Sequence, residues 1–149
     1  MYAKPYVVLA YYDPPRWSAR AVGLHLTEIT RQAGLKPLYD PIHPALEMAW
    51  SNQALHAEVR WSTGKVYSAE SWHQDGDTTP GSKMDNIMVL WASETPTEFM
   101  WNGQVYQPKP YELVAVRNLS VMHRRPAQCA EDRWLFRQRC ATHSPLRLP

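Results

Sequence analysis

The residues whose types and spacing suit chemistry begin at Trp72-His73-Gln74-Asp75-Gly76, with His123 fifty residues after His73 and Arg133 ten further on. Side chains of an extended strand alternate between two faces, so His73 and Asp75, two apart, project together and can grip one metal ion. His123 adds a second imidazole. Two imidazoles and one carboxylate leave half of an octahedron open, the arrangement in which Fe(II) holds a co-substrate and dioxygen side by side. An arginine soon after the second histidine offers a planar fork that bonds both oxygens of a carboxylate, so Arg133 could clamp the far end of a 2-oxo acid. The same three ligands would equally serve a zinc ion carrying a hydrolytic water, and a His-x-Asp triplet also arises by chance.

A frame is needed to bring residues fifty positions apart into one place, and the texture of the chain changes where such a frame would start. Residues 6–12 read as a short buried strand, stopped at Asp13-Pro14-Pro15 because proline has no N–H for a ladder. Ser18 caps a helix over 19–33, where Val22, Leu24, Leu26, Ile29 and Ala33 recur roughly at helical spacing, and Gly34 stops it. A second strand is expected over 35–39 and a second helix from 44 to about 57. After Arg60 come short β-type runs broken by Gly, Pro, Asn and Asp, at 65–75, 86–92, 98–101, 104–107, 112–117, 120–124 and 133–139. Asn102-Gly103 lies between two of them and marks a two-residue hairpin, since both residue types tolerate positive φ. The metal motif ends one expected strand, His123 lies in another, and Arg133 opens the last. Helices first and strands afterwards predict a mainly β, α+β domain over 1–149, with 1–59 as helical support and 60–149 as a sandwich or barrel core.

Composition sets outer limits. The chain has 149 residues, one domain's worth of core. Its mean hydropathy of −0.50 and the lack of any run of about 20 apolar residues argue against a membrane protein. A formal net charge of +2 is too mild to argue for nucleic acid. The positive charge is nonetheless uneven: Arg117, Arg124, Arg125, Arg133, Arg137, Arg139 and Arg147 crowd the last third, which suits an anionic ligand or a solvated basic surface. Cys129 and Cys140, the two cysteines, form neither a CxxC pair nor a zinc-finger spacing. Isolated thiols and the absence of a signal-peptide-like apolar run predict a cytoplasmic location.

His-x-Asp, a long gap, a second His and an Arg about ten residues later form an order that resembles the Fe(II)/2-oxoglutarate-dependent oxygenases. The local Trp72-His73-Gln74-Asp75-Gly76 is similar to the phytanoyl-CoA hydroxylase branch. The resemblance covers roughly residues 60–140. It implies a double-stranded β-helix, a cupin-like jelly roll, with Fe(II) held by His73, Asp75 and His123. It further implies 2-oxoglutarate and O2 as co-substrates, with Arg133 on the C5 carboxylate, and hydroxylation of a substrate with release of succinate and CO2. One position departs from the pattern: many members carry Ser or Thr two residues after this arginine, and here Leu135 stands there. Arg137, on the same face of the expected strand and fourteen residues after His123, is the rival clamp.

Other contributors carry two readings each. Tyr67 could reach the co-substrate carboxylate or be a half-buried strand tyrosine, and Asn86 could bond the C1 carboxylate or cap a turn. Trp61, Trp72, Trp91 and Trp134 could wall a pocket or be core. Asp77 and Asp85 are not expected as ligands; His25, His43, His56 and His143 show no ligand spacing. The loop 77–84 leaves the metal motif directly and could fold over a substrate, whose identity the sequence does not reveal. A non-catalytic β-sandwich that holds a ligand on its aromatics and arginines is the remaining alternative.

Overall fold

The computed structural model describes residues 2–15, 18–37, 57–62, 71–74, 86–126, 133–142 and 147–149, with backbone alone at 19–20, 57–62 and 133. The first strand, β1 (Tyr6–Tyr11), ends before the Pro14-Pro15 pair as expected. Helix α1 (Ala19–Gln32) is capped by Ser18, whose hydroxyl accepts from the Ala21 amide at 3.4 Å. It closes at Gly34, which adopts φ +84° and donates its amide to the Arg31 carbonyl. Val22 and Leu26, four apart, form its fully buried stripe.

Among the described residues seven further strands follow: β2 (Ala57–Ser62), β3 (Ile87–Ala92), β4 (Glu98–Trp101), β5 (Gln104–Tyr106), β6 (Glu112–Arg117), β7 (Met122–Arg124) and β8 (Arg133–Cys140). They form two antiparallel sheets, ordered β1-β6-β3-β8-β2 and β5-β4-β7. A bridge between His73 and His123 extends the smaller sheet beyond β7. The pairings nest. β2 lies with β8, His73 with β7, β3 with β6 and β4 with β5, so successive paired segments alternate between the sheets.

Strand β3 is buried at every residue because it sits between two cores. On one face Ile87, Val89 and Trp91 join Leu113, Ala115, Phe136 and Cys140 beneath Val22 and Leu26 of α1. On the other, Met88 and Leu90 join Val114, Val116 and Tyr6 and meet Phe99 of β4, so this second core joins the two sheets face to face.

Several boundaries differ from the sequence reading. The run expected at 120–124 starts at Met122, because Asn118–Ser120 turn and the Ser120 amide bonds back to the Arg117 carbonyl. Within the described part of 35–39 there is one bridge, Pro37 to Cys140, at a residue that cannot donate to a ladder. The expected second helix lies outside the described residues except at Ala57, which opens β2. The β core is thus not confined to 60–149: β2 starts three residues before that boundary, and β1, in the part expected as helical support, pairs with β6. Among the described residues no helix is long and apolar enough to cross a membrane.

Candidate metal and anion site

His73 and His123 exchange both backbone hydrogen bonds, at 3.1 and 2.8 Å. That makes them a directly opposed antiparallel pair with side chains on the same face. Their ring centroids are 4.5 Å apart and the rings meet at 60°. Two imidazoles bound at right angles to one ion through bonds of about 2.1 Å place their ring centres about 4–5 Å apart, so the spacing fits a shared metal. Nδ1 of His73 lies 2.8 Å from the Ser71 carbonyl, which can only accept; Nδ1 therefore carries a proton, and in the neutral ring this leaves the lone pair on Nε2 for a metal.

The face they share is the interior one. Phe99, fully buried in the core between the sheets, stands directly opposite His123 in the β4–β7 register. His123 itself is 6% exposed and His73 half-buried. Asp75 lies outside the described residues, and among those described no third His, Cys, Asp or Glu joins the pair.

On the facing sheet, Arg137 stands opposite Leu90 and Arg139 opposite Met88, both apolar partners being members of the same interior core. Leu135 packs against that core as well. The interior is thus divided: its walls are apolar along β1, β6 and β3, and along β8 the alternate positions on that face are held by two half-buried arginines. Arg133 opens β8 opposite Ser62, and only its backbone is described. Asn86 is buried, and its carbonyl accepts from the Asn118 amide where β3 begins. Tyr67 lies outside the described residues.

Of the four tryptophans that could be pocket wall or core, three have described side chains. Trp91 is core on the α1 side, where its indole N–H donates to the Tyr12 and Tyr111 carbonyls at 2.9 and 3.1 Å, and Trp134 packs against the same core. Trp72 carries the Arg124 guanidinium over its ring at 4.0 Å, and only the backbone of Trp61 is described. Sequence reading counted Arg139 among the late arginines but gave it no place on a face, although the alternation Leu135, Arg137, Arg139 holds the signal. It missed Trp101 and Tyr106, which pack against the interior core and line an open pocket of about 450 Å³ with Tyr2, Ala3, Asn102 and Gln104.

No family model matches the chain, and no curated protein and no solved structure matches it.

Proposed function

We propose that the chain is an Fe(II)- and 2-oxoglutarate-dependent oxygenase built on a jelly roll. The observation that carries the reading is the opposed His73–His123 pair, two residues fifty apart whose imidazoles stand at the spacing of ligands on one ion. The nested pairing of β2 with β8, His73 with β7, β3 with β6 and β4 with β5 supports the jelly roll, because a long hairpin rolled into two sheets has that order.

In this reading His73 and His123 hold the iron through Nε2, and Asp75 is the carboxylate ligand. Bound iron would supply the activation of dioxygen that couples oxidation of 2-oxoglutarate to succinate and CO2 with hydroxylation of the substrate. The chain's own work is to bind and to orient. The Ser71 carbonyl fixes the His73 tautomer, and the buried Phe99 keeps water from one side of His123. The arginine-bearing face of β8 offers the five-carbon diacid its distal anchor, from Arg133 or from Arg137, the latter at a position whose register faces the interior. The substrate class stays open, and the isolated thiol spacing supports a reducing, cytoplasmic compartment.

The test is succinate formation from 2-oxoglutarate by anaerobically purified protein given Fe(II) and then air, with amino acids, nucleosides and peptides added in turn. The expected outcome is iron-dependent succinate release, abolished in His73→Ala and His123→Ala. Metal binding through these histidines without succinate would refute the oxoglutarate reading.

A further inference from the structure

We propose that Arg124 is a positioning residue that holds the His73–His123 pair in register from the opposite face of the sheet; the inference rests on the metal reading above. Among the described residues, the 71–74 segment joins β7 through one bridge with two backbone bonds. A slip of one residue along this pairing would turn His73 to the wrong face.

The positions next to the histidines carry the correction. Trp72 and Arg124 alternate away from the interior, and the Arg124 guanidinium lies 4.0 Å from the Trp72 ring centroid. Its Nε donates to Oε1 of Glu98 at 3.0 Å, and Glu98 is the residue opposite Arg124 in β4. One side chain thereby ties the 71–74 segment to β7 and to β4 at the level of the histidines. Arg124 and Glu98 are 26% and 20% exposed, so solvent screens this contact less than it would a surface pair. The Gln74 amide, donating to the Leu119 carbonyl at 2.8 Å, adds a tie one residue beyond His73.

The experiment measures anaerobic Co2+ affinity by calorimetry and the imidazole NMR signals of the metal-free protein. Variants Arg124→Ala, Arg124→Lys, Glu98→Gln and Trp72→Phe are compared at a temperature where each keeps its near-UV circular dichroism. Arg124→Ala is expected to weaken Co2+ binding about 10- to 100-fold, the range seen when groups that orient metal ligands are removed. It should also split or broaden the His73 and His123 ring signals. Arg124→Lys should recover part of both losses and Trp72→Phe, which keeps an aromatic face, most of them.

An Arg124→Ala protein that binds Co2+ within about twofold of wild type, with single sharp ring signals, would overturn the brace while leaving the metal reading intact. Wild-type protein that does not bind Co2+ would refute the metal reading, and the ring signals alone would then decide whether Arg124 sets the register. Should Arg124→Ala fail to fold, Glu98→Gln carries the comparison, and unchanged affinity with unsplit signals in that variant overturns the brace.

Discussion

At the end of β8, Cys140 is fully buried beneath α1, and burial pushes its thiol up to about 12 from the usual 9.0. The folded chain therefore keeps this proton at a pH where the unfolded chain releases it. The sign follows: the stabilisation is complete below pH 9, and it is lost as pH rises toward 12, at up to about 1.4 kcal/mol per pH unit. Tyr6 and Tyr111, both raised first by burial, act in the same direction at higher pH. The expected outcome is that urea midpoints of Cys140→Ala fall less steeply between pH 9 and 11 than those of the parent, both in a Cys129→Ser background. Equal slopes would show that the thiol ionises in the folded state. A protonated, buried thiol also reacts slowly, so Cys140 should resist alkylation until the domain unfolds.

The element most dependent on local chemistry is the β4–β5 hairpin. Asn102 and Gly103 adopt φ +51° and +75°, the left-handed pair that lets two strands meet through a two-residue turn with the proper twist. A Cβ built on Gly103 meets nothing within 4 Å, so any penalty at this site comes from backbone conformation rather than from crowding. Gly103→Ala should cost about 1 kcal/mol in chemical denaturation, and Asn102→Gly a few tenths at most. A Gly103→Ala midpoint equal to that of the parent would mean that the turn does not require positive φ. The same hairpin brings Trp101 and Tyr106, whose ring centroids are 6.0 Å apart, to the rim of the open pocket.

Across the whole molecule, the five-stranded sheet separates two cores with different duties. Phe136 belongs to the core under α1 and Phe99 to the core between the sheets, and both are fully buried. Truncating either to alanine should cost about 3–5 kcal/mol, the range for removing a buried phenylalanine. The site should tell them apart. Phe99 is opposite His123, so Phe99→Ala is expected to shift the His123 ring signals and weaken metal binding, while Phe136→Ala leaves both unchanged under conditions where it stays folded. A site equally disturbed by both substitutions would mean that the two cores are not mechanically separate.

Much of the frame was legible in the sequence, since it rests on local rules. The Pro14-Pro15 stop, the Ser18 cap, the Gly34 terminator and the Asn102-Gly103 turn act within a few residues, and α1 and strands β3 to β6 lie within about a residue of where periodicity placed them. The choice of His73 and His123 as partners was likewise read from residue type, but nothing local could show that they oppose one another. That follows from the pairing of β7 with a segment fifty residues earlier, a non-local contact. Alternation in the last expected strand put Arg133 and Arg137 on one face in advance; only the β3–β8 register decides that the face of Arg137 is the interior one. Trp91 and Trp134 show the limit from the other side, because an aromatic residue reads alike as pocket wall or core until the sheet acquires a face covered by α1. The sequence determined which residues could ligate and where the chain turns. The tertiary structure decided which side chains meet, because strand register and sheet face are settled by packing between distant segments.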